Sequence, residues 1–154
     1  MNLPGRWDRL LRGVGQAVLG GALITAGAGH LTAQRREFQA QVPTWVPVDP
    51  DLVVVASGVV EIALGAALLV TWRQPVRGIV GVVVAAFFVA VFPGNIAQLT
   101  EQRDAFGLDT DTKRAVRLLF QPLLVLWALG STGAVGEIRR ALDRRHASAR
   151  DTRG

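Results

Sequence analysis

The chain has 154 residues and no cysteine. That excludes a disulfide framework, a CxxC redox pair, an iron–sulfur cluster and any thiolate metal site. Histidine is almost missing: His30 and His146 are the only two. They fall on opposite sides of the topology derived below, so bis-histidine haem ligation is not expected. Lysine is scarcer still, with Lys113 alone among 17 basic residues. That arginine bias points to a GC-rich bacterial genome rather than to a function. Charge of either sign is nearly absent from four long stretches, and those stretches set the fold.

Half of the chain is hydrophobic, and the mean hydropathy is +0.32. Residues 13–31, 52–72, 78–99 and 115–135 each reach the roughly 20 apolar residues needed to cross a bilayer. Backbone groups in lipid must be satisfied within the segment, so the runs read as helices. A soluble four-helix bundle would repeat a charged face every three or four residues, and GIVGVVVAAFFVAVFPGNIAQL has none. The predicted fold is an all-α integral membrane four-helix bundle. The first run is too long for the roughly 7–15-residue core of a signal peptide and reads as a retained helix.

A net charge of +5 would suggest a nucleic-acid partner in a soluble protein. Here the arginines flank the spans, no nucleic-acid partner is expected, and the bilayer is the partner. Arg6, Arg9, Arg12, Arg73, Arg77 and the arginines after residue 138 lie on one side. The other side holds fewer: Arg35, Arg36, Arg103, Lys113, Arg114 and Arg117. Cytoplasmic flanks are enriched in basic residues, so both termini are predicted cytoplasmic. The expected domains are an interfacial segment at 1–12, the bundle at 13–137 and a basic tail at 138–154. The segment, with Trp7 and three arginines, reads as a short surface helix. The tail reads as an amphipathic segment at anionic lipid or as a plain topology anchor.

Small residues recur every four positions in the first span, at Gly13, Ala17, Gly21, Thr25 and Gly29. Such a stripe predicts a close helix–helix contact. The brief connection RQPVR predicts that spans two and three pair antiparallel. Residues 32–51 form a long connection in which Pro43, Pro47 and Pro50 forbid regular helix. Trp45 suits the headgroup level. A loop of this length in so small a chain is usually functional.

One charge sits deep. Glu61 is the sole ionisable group in LVVVASGVVEIALGAALLVTW. At mid-bilayer it costs about 2.5–3.5 kcal/mol on insertion scales, so something nearby must compensate it. The topology puts it about 14 Å below the outer start of its helix, at 1.5 Å per residue. His30, Asn95, Gln98, Arg117 and Gln121 fall in the same outer half; Gln16 is the exception. Arg117 and Gln121 are four apart and share a face, with Arg114 extending it toward water. Arg117 is the expected partner of Glu61. Pro93 and Pro122 each free a backbone carbonyl in that zone. The outer half is thus expected to be widened and polar, and the inner half dry. Glu61 is the candidate catalytic acid; His30, Asn95, Arg117 and Gln121 are candidate binding residues. No metal site has recognisable spacing. A buried network that merely fixes helix pairing is the alternative.

Five motifs in order are AGAGH (26–30), VPTWVP (42–47), SGVVE (57–61), VFPGN (91–95) and RLLFQ (117–121). Together they resemble the DoxX-like family of small four-helix bacterial membrane proteins, over residues 13–130. The resemblance implies a bacterial plasma membrane. It implies links, for some members, to quinone-dependent sulfur oxidation or to oxidative-stress complexes with partner enzymes. The family's recurrent polar positions would be His30, Glu61, Asn95, Arg117 and Gln121. Two functions compete. One is a quinone-linked oxidoreductase subunit in which Glu61 exchanges a proton, with electrons from partner membrane or peripheral redox subunits or from a reduced sulfur compound. The other is a non-enzymatic lipid- or small-molecule-binding or assembly subunit, with homo-oligomerisation open. Alternating-access transport has little room in four spans.

Overall fold

The computed structural model describes the backbone of residues 4–151 and the side chains of residues 5–144. The side chains of Arg145, His146, Arg150 and Arg153, part of the predicted basic tail, lie outside that range. Six helices follow in order: α1 (Pro4–Leu31), α2 (Arg35–Gln39), α3 (Pro50–Val70), α4 (Val76–Thr100), α5 (Asp111–Thr132) and α6 (Ala134–Asp151). No strand occurs among the described residues. α1, α3, α4 and α5 are the four helices long and apolar enough to cross a membrane. The long connections and α2 lie at one end of the bundle, here the loop end. The starts of α1 and α6 lie at the other, the terminal end.

Local chemistry sets the helix limits. α3 opens with Pro50 in its first turn, where a missing N–H is harmless. The Asp49 carboxylate caps it, accepting from the N–H of Asp51 at 2.8 Å and of Leu52 at 3.2 Å. Thr110 caps α5 through its hydroxyl. α5 stops at Gly133, whose φ of 72° is left-handed, a conformation that glycine adopts without steric cost. α6 begins one residue later.

Residues 4–12 are not a separate surface helix. α1 runs through them without a break, because a lone helical Gly13 is tolerated where a proline would not be. The tail is helical as far as Asp151. The described part of α6 rests on α4 beside Gly78 and exposes Val135, Ile138 and Leu142 along one stripe.

Two sequence expectations about packing are corrected. α1 packs mainly on α3 and α4 on α5, while α3 and α4, the pair joined by the short RQPVR link, meet only thinly. The close face of α1 is also not the 13–17–21–25–29 stripe. Gly20 and Gly27 face Gly58 and Gly65. A Cβ on Gly20 would stand 2.9 Å from the Gly65 carbonyl oxygen, and one on Gly27 would stand 2.5 Å from that of Gly58. Backbone thus meets backbone, which fixes the α1–α3 pair independently of loop length. A Cβ on Gly21 would meet nothing within 4 Å.

Alanine at these neighbouring glycines should therefore act oppositely. Gly20→Ala should lower resistance to unfolding in dodecyl sulfate by about 1–3 kcal/mol through overpacking. Gly21→Ala should be neutral or gain up to about 1 kcal/mol from helix propensity. Equal effects at both sites would contradict this packing.

Between the ends lies an apolar core of Leu19, Leu23, Leu68, Val84, Ala85, Phe88 and Ala128. At the terminal edge Gln16, the polar exception of that half, is completely buried. Its amide donates to the carbonyls of Leu68 at 2.6 Å and Thr71 at 2.8 Å, at the end of α3. Its oxygen accepts from Arg77 Nε, and Arg77 Nη2 donates to the Ser131 carbonyl at 2.7 Å. Helix C-termini leave carbonyls without partners; here Gln16 and Arg77 supply the donors and join all four long helices.

Candidate functional site

At the loop end, α1 delivers His30 and α3 delivers Glu61 to one point. Gly58 makes room: a Cβ there would lie 2.7 Å from the His30 Cβ. His30 Nδ1 is 3.0 Å from Glu61 Oε2, with both side chains about nine-tenths buried. The separation suits an ion pair, yet neither atom has a hydrogen bond of acceptable angle. We read the contact as a close approach without a formed hydrogen bond, since a ring N–H must point at its acceptor. Ser57 Oγ lies 3.5 Å from the other carboxylate oxygen, Glu61 Oε1.

Arg117 is not the partner of Glu61. Its Nη1 donates to Gln98 Oε1 at 3.3 Å, and its guanidinium lies 5.2 Å from the centre of the Phe106 ring. His30 is nearer because the α1–α3 glycine contact draws these two helices together. Arg117 still borders the same cavity as Glu61. Arg114 does not extend a wet face either. It is 5% exposed and pairs with Asp104 and with Asp111.

Asn95 and Gln121 satisfy each other. Asn95 Nδ2 donates to Gln121 Oε1 at 2.9 Å. Gln121 Nε2 donates to the Phe88 carbonyl. These two residues clamp α4 to α5 while still bordering the cavity.

Two residues that sequence reasoning passed over close the site from above. The Phe38 ring of α2 lies on the His30 imidazole, with centroids 3.4 Å apart and planes tilted by 30°. Phe106, from the α4–α5 connection, meets Phe38 edge-on at 4.7 Å. Polar contacts tie this roof down. Glu37 accepts the Phe106 N–H at 2.7 Å. Arg103 donates to the Val42 carbonyl at 3.0 Å and pairs with Glu101 at 2.6 Å. Arg35 forks onto Asp51, which also accepts from Gln39 at 2.9 Å. The Asp51 hydrogen bond raises the Arg35 pKa above its usual value. Exposed pairs of this kind contribute little stability, so together they orient the roof.

Beneath the roof are two adjoining cavities of about 220 and 210 Å³. His30, Phe38, Gln41, Ser57 and Val91 border both. The first also reaches Trp45 and Pro93, and the second holds Glu61, Asn95, Arg117 and Gln121. Three buried polar atoms have no hydrogen-bond partner among the described residues: His30 Nδ1, Gln41 Nε2 and Glu61 Oε2. All three belong to residues that border these cavities. Leaving such groups unpaired costs about 1–3 kcal/mol each, so the arrangement suits a guest that supplies both an acceptor and a donor.

Fold and site together define a multi-pass membrane protein with a roofed polar cavity at one end of its bundle. The family described as Domain of unknown function (DUF8561) matches residues 19–132, and the chain belongs to that family. No curated protein and no solved structure matches the chain.

Proposed function

We propose that the chain is a DoxX-like membrane subunit that binds a quinone-class molecule in the cavity beneath Phe38 and manages its protons. The convergence of His30, Gln41 and Glu61 on one cavity, with Nδ1, Nε2 and Oε2 buried and without a formed hydrogen bond, carries this reading. When bound, a quinone supplies two carbonyl oxygens that become hydroxyls on two-electron, two-proton reduction. The amide of Gln41 and the imidazole of His30 donate hydrogen bonds to carbonyl oxygen. Glu61 accepts from hydroxyl, and the Glu61–His30 pair holds or passes a proton at that oxygen. Phe38 and Phe106 exclude water. Electrons come from a partner redox subunit or a reduced sulfur compound. The arginine-rich flanks support a bacterial plasma membrane location with both termini cytoplasmic.

A ten-carbon-tailed benzoquinone, titrated into the detergent-purified protein, tests the reading. Trp45 borders the first cavity and reports binding by quenching of its fluorescence. Quenching should saturate, and Glu61→Gln should weaken it about tenfold, the equivalent of about 1.4 kcal/mol. Quenching that never saturates, or that is identical in the variant, rejects the proposal. The mutual bonding of Asn95 and Gln121 favours a second reading, a non-enzymatic lipid-binding or assembly subunit. Co-purified phospholipid with no quinone response would support it.

A further inference from the structure

A second concavity lies on the exposed side of α5. It is an open groove of about 580 Å³ bordered by Phe106, Leu108, Lys113, Val116, Arg117 and Phe120. Its walls are apolar along Val116 and Phe120, which are 47% and 57% exposed. Its polar side chains gather toward the loop end. Residues 112–120 span about 12 Å of helix at 1.5 Å per residue, room for an extended chain of roughly ten carbons.

Groove and cavity share a wall. Arg117 borders the groove on one side and the Glu61 cavity on the other. Phe106 lines the groove and holds Phe38, the roof of His30. The Arg117 side of that shared wall is lightly fastened. Arg117 makes one side-chain hydrogen bond, at 3.3 Å, which leaves most of its donors free. Phe106 has φ of 55°, a left-handed conformation that costs a non-glycine residue energy and persists where surrounding contacts impose it. Its N–H is held by Glu37.

A rival groove of about 460 Å³ lies between α4 and α5, bordered by Val89, Phe92, Pro122 and Val125. It meets the cavity at Gln121. That wall is held at both ends of the Gln121 amide, whose oxygen accepts from Asn95 and whose nitrogen donates to the Phe88 carbonyl.

We propose that the α5 groove holds the alkyl tail of the molecule whose headgroup lies against His30 and Glu61. Phe106 and Arg117 form the gate through which that molecule enters from the membrane. This rests on the reading of the cavity as a headgroup site. The occupant is an amphiphile with a carbonyl-bearing headgroup. Its oxygens meet the free guanidinium donors of Arg117 on the way in, and its tail remains on Val116 and Phe120.

The test compares a ten-carbon-tailed benzoquinone with its tail-less parent by titration calorimetry in detergent. Val116→Trp fills the α5 groove and Val89→Trp fills the rival groove. Both sites are exposed, at 47% and 59%, so both variants should fold. Val116→Trp should weaken the tailed compound about tenfold, the worth of roughly two buried methylenes. It should leave the tail-less compound unchanged, and Val89→Trp should alter neither. Tight binding of the tailed compound that Val116→Trp does not weaken overturns the groove assignment alone. So does a loss seen only with Val89→Trp. Failure of both compounds to bind the unaltered protein overturns the headgroup site and the groove together.

Discussion

Leucine at position 30 is expected to destabilise the bundle by about 3 kcal/mol while Glu61 remains, the upper end of the cost of leaving a buried polar group facing an apolar side chain. The carboxylate would then keep only the distant hydroxyl of Ser57, 3.5 Å away. Arg117 does not reach it, since its guanidinium lies against Gln98 and the Phe106 ring. Adding Glu61→Leu should restore most of the loss, since a volume-matched apolar replacement of a buried pair is often neutral or stabilising. Unfolding in dodecyl sulfate measures all corners of the cycle, and the coupling should reach about 0.5–3 kcal/mol. The same cycle with Arg117→Gln should give the smaller coupling. If Arg117 couples to Glu61 more strongly than His30 does, the geometry of the site is wrong.

Gln16→Leu should be the second costly change, at about 2–4 kcal/mol. One side chain there serves two carbonyls at the end of α3 and the Arg77 guanidinium. Its removal orphans three buried or half-buried groups, each worth about 1–3 kcal/mol, with water able to relieve part of the loss at the bundle end. Arg77→Met should cost less by itself, because the Gln16 amide keeps its two carbonyls. The double variant should cost less than the sum, as expected of members of one network. Additive losses would mean that the two residues act separately. The experiment also separates the ends of the bundle: Gln16 variants should leave quinone binding unchanged, while His30 variants should not.

The span positions were legible because they rest on apolar run length, which the bilayer itself dictates. The depth of His30, Glu61, Asn95, Arg117 and Gln121 was legible for the same reason. Pairing was not. Whether Glu61 meets His30 or Arg117 depends on which helices approach closely, and that follows from Gly20, Gly27, Gly58 and Gly65 facing each other across α1 and α3. A four-residue stripe on one helix names small residues without naming their neighbours, so Gly21 read as well as Gly20. The roof was hidden more deeply. Phe38 lies in a five-residue helix, too short to leave a periodic signal, and Phe106 lies in a turn where Gly107 advertises a left-handed φ at its own position but not at Phe106. The buried Gln16 stood out only as an exception in depth. Its role needed the ends of α3 and α5 brought beside it.

The central claim is that Glu61 faces a bound small molecule instead of serving packing alone. The most direct measurement is the infrared difference spectrum of the detergent-purified protein on adding the ten-carbon-tailed benzoquinone. The account predicts a change in a carboxyl band that saturates with binding and disappears in Glu61→Gln. A saturating spectrum with no carboxyl component, or one that survives unchanged in Glu61→Gln, would contradict it.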